Sequence, residues 1–86
     1  MSPTVVTLLG KPGCHLCDDA HEVVARFTEE LTAEGARIRL EQRSILDDPE
    51  LERRYRDDIP VVLVDGEPHA RWRVDPERLR RRLHAA

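Results

Sequence analysis

The sequence predicts an α/β sandwich, a four-stranded mixed sheet flanked by helices in the order β-α-β-α-β-β-α. Three observations carry this expectation. Residues 4 to 9, TVVTLL, form a charge-free, β-branched and leucine-rich run, the pattern of a strand buried on both faces. From Leu16 to Leu31, apolar residues recur at spacings of three and four, as on one face of a long helix. Asp65-Gly66 separates two strand-like runs, the strongest hairpin signal a short sequence offers.

Taken in order, the first run reads as a central strand, followed by a loop from Gly10 to Gly13 that contains Pro12. Leu16, Ala20, Val23, Val24, Phe27 and Leu31 then make one apolar stripe, and Gly35 supplies a glycine stop. Residues 36 to 42 alternate Ala36, Ile38 and Leu40 with polar residues, which suits a half-buried edge strand. Asp48-Pro49 pairs an N-cap with a proline at the first helical position, and Leu51 and Tyr55 lie four apart on the short helix that follows. Residues 61 to 64 and 67 to 73 flank Asp65-Gly66 as antiparallel strands, and Pro68 argues for an edge position of the second. Val74, Asp75, Pro76 and Leu79 resemble a stapled helix start, with Leu79 and Leu83 on its buried face. Two βα crossovers imply right-handed connections and parallel pairing of the early strands, closed by the hairpin.

The 86 residues suffice for one domain, 1–86, and 40% apolar with 36% charged residues describes a folding, water-soluble chain. The net charge of −3 and only three aromatic residues, Phe27, Tyr55 and Trp72, argue against nucleic acid as a partner. No apolar run approaches the roughly 20 residues that span a bilayer, so no membrane is expected. The start MSPTVVTLLG has no basic n-region and no apolar segment of signal length. Two cysteines are too few for a secreted disulfide framework, and the reducing cytoplasm is the expected location. The cluster Arg78, Arg80, Arg81 and Arg82 falls near a helix end, where it complements the macrodipole and reads as a solvated face.

Both cysteines lie in KPGCHLCDDA, residues 11 to 20, between the first strand and the first helix. A cysteine at a helix N-terminus faces unpaired backbone N–H groups and the positive dipole end, which stabilise thiolate over thiol and lower a thiol pKa from about 8.5 toward about 3.5–7.5. Cys14 is therefore the expected nucleophile, and Cys17, one turn further in and more shielded, the resolving thiol. Lys11, the only lysine, and His15 add positive charge near Cys14, whereas Asp18 and Asp19 oppose it. A moderately lowered pKa suits a reductant better than a strong oxidant. A structural pair and a metal site remain alternatives. Cys14, Cys17 and His21 share one helical face, but tetrahedral zinc needs four ligands and only the distant His69 and His84 remain, so no metal is assigned.

The stretch KPGCHLC after a strand, the segment Asp58-Ile59-Pro60-Val61-Val62 and the Asp65-Gly66 hairpin together resemble a glutaredoxin-like protein of the thioredoxin superfamily, over essentially the whole chain. The resemblance implies a thioredoxin-like fold. It also implies that Pro60 is cis and lies against the Cys-x-x-Cys, and that the backbone of Ile59 pairs with an incoming thiol peptide. Two positions depart from the typical glutaredoxin: His15-Leu16 stand where Pro-Tyr is usual, and Ala70-Arg71, followed by Trp72, replace the Gly-Gly that admits glutathione. Side chains there obstruct a glutathione pocket or shape a different one.

The expected function is that of a small monomeric thiol-disulfide oxidoreductase, reducing disulfides in proteins or small thiols, with no bound cofactor. Glutathione, another low-molecular-weight thiol or a reductase such as thioredoxin reductase is the expected electron donor. A metal- or iron-sulfur-binding module and a redox-inert adaptor are the alternatives.

Overall fold

The computed structural model describes residues 2–84 and contains β1 (Thr4–Gly10), α1 (His15–Ala33), β2 (Ile38–Ser44), a single 3₁₀ turn (Ile45–Asp47), α2 (Pro49–Tyr55), β3 (Val61–Val64), β4 (Glu67–Arg71) and α3 (Pro76–His84). The strands form one mixed sheet in the order β2-β1-β3-β4, with the expected element order and with β2 and β4 at its edges. Boundaries move slightly: β2 begins at Ile38 rather than residue 36, β4 ends at Arg71 rather than residue 73, and Gly10 closes β1 instead of opening the loop.

Helix length decides the sense of each connection. The seven residues of β1 run roughly 23 Å. The 19 residues of α1, about 28 Å long, carry the chain back along that distance, so β2 pairs with β1 in parallel from Thr4↔Ile38 to Gly10↔Ser44. The seven residues of α2 span only about 10 Å. That is too short for a return, so β3 starts at the end of the sheet where β2 finished and runs antiparallel to β1, from Val6↔Val64 to Leu9↔Val61. Parallel pairing of the early strands thus holds for β1 and β2, and the second crossover is corrected to an antiparallel return.

Both residues of the Asp65-Gly66 turn have positive φ, +50° and +83°, as a type I′ hairpin requires. Asp65 also ties the turn to the start of β1: its N–H donates to the Val5 carbonyl at 2.8 Å, and its Oδ1 accepts from the Val5 N–H at 2.9 Å. The β3–β4 register shifts between Val62 and Leu63, beside Pro68 on the edge strand.

The sheet buries apolar side chains on both faces. Val6, Leu8, Val62 and Val64 meet Ala20, Val24 and Leu31 of α1 and Leu79 and Leu83 of α3. On the opposite face, Leu9, Val61 and Ile45 pack with Leu51 and Tyr55 of α2 and with Ile59. β1 therefore feeds both layers, which is why its sequence carries no charge. Asp48 caps α2 through Glu50 N–H at 2.9 Å, and Asp75 caps α3 through Glu77 N–H at 3.0 Å. Among the described residues, no helix is long and apolar enough to cross a membrane.

Candidate redox site

Cys14 and Cys17 are joined as a disulfide, with Cα atoms 5.2 Å apart, at the junction of the loop after β1 and the start of α1. The pair is asymmetric. Cys14 is the N-cap of α1, in extended conformation, and its Sγ accepts the Cys17 backbone N–H at 3.2 Å, as a serine or aspartate oxygen would at a helix start. Cys14 is half-buried, whereas Cys17, inside the first turn, is 5% exposed. Lys11 and His15 are both exposed; the Lys11 carbonyl accepts from Cys14 N–H at 3.3 Å. Lys11 also borders a cavity of about 320 Å³ that reaches Cys17 between Gly10 and Arg43.

Gly10 has a role that its place in the sequence did not reveal. A Cβ at this position would lie 2.9 Å from the Cys17 Cβ and 3.0 Å from its Sγ, distances at which something must move. The end of β1 is therefore shaped to seat the second sulfur. The signal was a glycine at the last position of an otherwise large, apolar strand, a place where backbone and another group commonly approach closely.

The Ile59–Pro60 peptide bond is cis, and Pro60 is fully buried. Continuing the β1–β3 register one residue past Leu9↔Val61 sets Pro60 across from Gly10, next to the Cys17 seat. The Ile59 side chain packs into the second core layer with α2. Neither its N–H nor its carbonyl makes a backbone hydrogen bond among the described residues.

Two side chains near the pair depart from the sequence reading. Leu16 belongs to the helical stripe by spacing, yet it is 54% exposed, because it faces a groove toward Trp72 instead of the sheet. Trp72, 50% exposed, has φ +65°, a left-handed conformation costing a non-glycine residue roughly 1–2 kcal/mol. Several contacts hold it there. Its N–H donates to the Pro60 carbonyl at 2.8 Å, its indole Nε1–H to the Asp57 carbonyl at 3.0 Å, and the Arg71 guanidinium lies 4.5 Å from its ring centroid. Arg71 also reaches Asp58 at 3.7 Å.

The arginines of α3 do not form one solvated face. Arg80 turns onto α1, 3.5 Å from Glu30 and 5.3 Å from the Phe27 ring centroid, while Arg78 lines a pocket beside β4. Burial holds His69 of that pocket below the usual 6.5, Arg78 and Arg82 push in the same direction, and Asp75 opposes them. Its Nε2 is shielded and has no hydrogen-bond partner, which favours the neutral ring. Among the described residues, no three His, Cys, Asp or Glu side chains converge to hold a metal ion, so His21 does not complete a set with the cysteines.

A mixed four-stranded sheet with a Cys-x-x-Cys at the junction between its central strand and a helix is the arrangement of the thioredoxin fold. More particularly, the chain belongs to the family of glutaredoxin-like domains (DUF836), whose model matches residues 5–84. Among proteins, it is similar to the uncharacterized protein Rv0508 of Mycobacterium tuberculosis (strain H37Rv), 36% identical over 80 residues, covering 93% of this chain and 82% of that one. Among solved structures, target protein XcR50 from X. campestris is 33% identical with a TM-score of 0.69, covering 94% of this chain and 97% of the other. The oxidized form of mitochondrial thioredoxin 3 from Saccharomyces cerevisiae, 11% identical, shares the fold with a TM-score of 0.69, covering 100% of this chain and 81% of that one.

Proposed function

We propose that this protein is a small thiol-disulfide oxidoreductase that reduces disulfides through a Cys14/Cys17 dithiol cycle. The observation that carries the reading is the inequality of the two sulfurs: Cys14 Sγ sits at the helix cap and receives a backbone N–H, while Cys17 is buried behind it. A sulfur receiving a helix N-terminal N–H is favoured as the thiolate, the form that attacks.

In the reduced protein, the Cys14 thiolate attacks one sulfur of a substrate disulfide and expels the other as a thiolate, which takes up a proton. A mixed disulfide to Cys14 remains. Cys17 then loses its proton and attacks the Cys14 sulfur, releasing the second substrate thiolate, which is protonated in turn. Two electrons have passed from the protein to the substrate, one proton has come from Cys17 and one from solvent, and the protein is left with the Cys14–Cys17 disulfide. Lys11 and His15 contribute positive charge beside the attacking sulfur. Ile59 and Pro60 orient the substrate, a role supported by the unengaged Ile59 backbone groups, which can pair with an extended peptide. Glutathione, another low-molecular-weight thiol or a reductase restores the dithiol, and the cycle suits a monomer in the reducing cytoplasm.

The test is turnover with a protein disulfide and an electron-donor panel of glutathione with glutathione reductase against thioredoxin reductase. Cys14→Ser should abolish reduction and Cys17→Ser should stall at a mixed disulfide. Full turnover by Cys14→Ser would sink the scheme.

A further inference from the structure

We propose that the groove between the start of α1 and the Trp72–Val74 segment docks a polypeptide substrate that places a large apolar side chain beside its reactive cysteine and acidic residues beyond it. This rests on the oxidoreductase reading and narrows its substrate class. The groove holds about 320 Å³, lined by Leu16, Ala20, Val23, Trp72 and Val74, with Asp19 and Arg73 as its charged residues. Leu16 and Trp72 are two of the three large apolar side chains left exposed among the described residues. Scattered singly, such residues call for no explanation. Here they share one groove, and Leu16, between the two cysteines in the sequence, brings that groove to the start of α1, although neither cysteine lines it.

Trp72 is a fixed wall. Its backbone occupies a region that glycine would adopt without strain, and the indole is held by its hydrogen bond to Asp57 and by the Arg71 guanidinium above it. An observed outlier of this kind at a site edge points to use. A rigid, half-exposed aromatic anchors a partner with little loss of side-chain freedom.

The charge beside it specifies the rest of the ligand. A second depression, of about 580 Å³, shares Trp72 and Arg73 with the groove and adds Arg71 and Arg78. Arg71 is engaged with Asp58, whereas the side chains of Arg73 and Arg78 have no hydrogen-bond or ion-pair partner among the described residues. Arg71, Arg73 and Arg78 outnumber Asp58 in the second depression and Asp19 in the groove, so on a chain of net charge −3 the lining is locally positive and complementary to carboxylates. Two adjoining depressions of different character call for an extended chain, with an apolar residue in the first and acidic residues at the second. A tripeptide thiol without a large apolar side chain leaves the first unfilled.

The experiment measures the rate at which the reduced protein is oxidised by three probes in single turnover. Two are short synthetic peptides with one cysteine in mixed disulfide with 2-mercaptoethanol, one flanked by tryptophan and two glutamates, the other by glycine and two lysines. The third is bis(2-hydroxyethyl) disulfide. Oxidation by this bare disulfide tests the oxidoreductase reading, and failure there defeats that reading and the docking site together. With that reading intact, the tryptophan-glutamate peptide should react about tenfold faster than the glycine-lysine peptide. Trp72→Gly, whose backbone suits the left-handed position, and Leu16→Ser, at an exposed position, should each move the ratio toward one in protein shown to be folded by circular dichroism. A wild-type ratio near one, or a ratio surviving both substitutions, would overturn the docking site.

Discussion

Replacing Gly10 with alanine probes the seat of the second sulfur. The new Cβ would stand 2.9 Å from the Cys17 Cβ and 3.0 Å from its Sγ. Overpacking of this kind typically costs about 1–3 kcal/mol. Against it stands a gain of about 0.4–1 kcal/mol from the stiffer unfolded chain, since Gly10 is not among the glycines with positive φ and its backbone suits alanine. The net expectation is a loss of roughly 1–2 kcal/mol, or about 5–10 °C in Tm for a domain of this size. The loss should be larger in the oxidised protein: there the sulfur is tethered to Cys14, whereas a free Cys17 thiol can rotate away from the added methyl group. A difference of 1.4 kcal/mol between the two states corresponds to about 30 mV, so the reduction potential should rise by roughly 10–30 mV. Urea or thermal unfolding of both redox states, with equilibration against a thiol buffer for the potential, reads these quantities. An oxidised Gly10→Ala protein as stable as the parent would refute the reasoning.

Leu79→Ala, at a fully buried position where α3 meets the sheet and α1, should lose about 2–5 kcal/mol in chemical unfolding. His69 titrates below its ordinary 6.5 in the fold. The neutral ring therefore contributes stability that is complete above about 6.5 and is lost as pH falls through the lower folded value. The stability difference between the parent and His69→Gln should shrink over that acidic interval, and a pH-independent difference would contradict it. Asp75→Ala removes the cap of α3, whose Oδ1 accepts from the Glu77 and Arg78 N–H groups, and should cost about 1 kcal/mol. The same substitution removes the one group that raises the His69 pKa, so the His69 midpoint observed by NMR should move further down.

Much of the architecture was legible because local and global preferences agree. The uncharged run of β1 already implied burial on two faces, and Asp65-Gly66 fits a turn that needs two positive φ values. The antiparallel sense of β3 was in reach as well, since a seven-residue helix cannot span a strand, but the element order alone does not expose that length argument. The site was only half legible. Cysteine spacing marks the sulfurs, and placement at a helix start makes them unequal. Periodicity assigned Leu16 to the core, although the first turn of α1 faces a groove. No sequence rule places tryptophan in a left-handed conformation, since the three contacts that hold Trp72 come from Asp57, Pro60 and Arg71 and arise only in the fold.

The central claim, that Cys14 attacks and Cys17 resolves, is tested most directly by trapping. Reduced Cys17→Ser protein mixed with a disulfide substrate should accumulate one covalent adduct per chain, located at Cys14 by peptide mapping and released by dithiothreitol. Absence of any adduct while the substrate disulfide is nonetheless reduced would contradict the account.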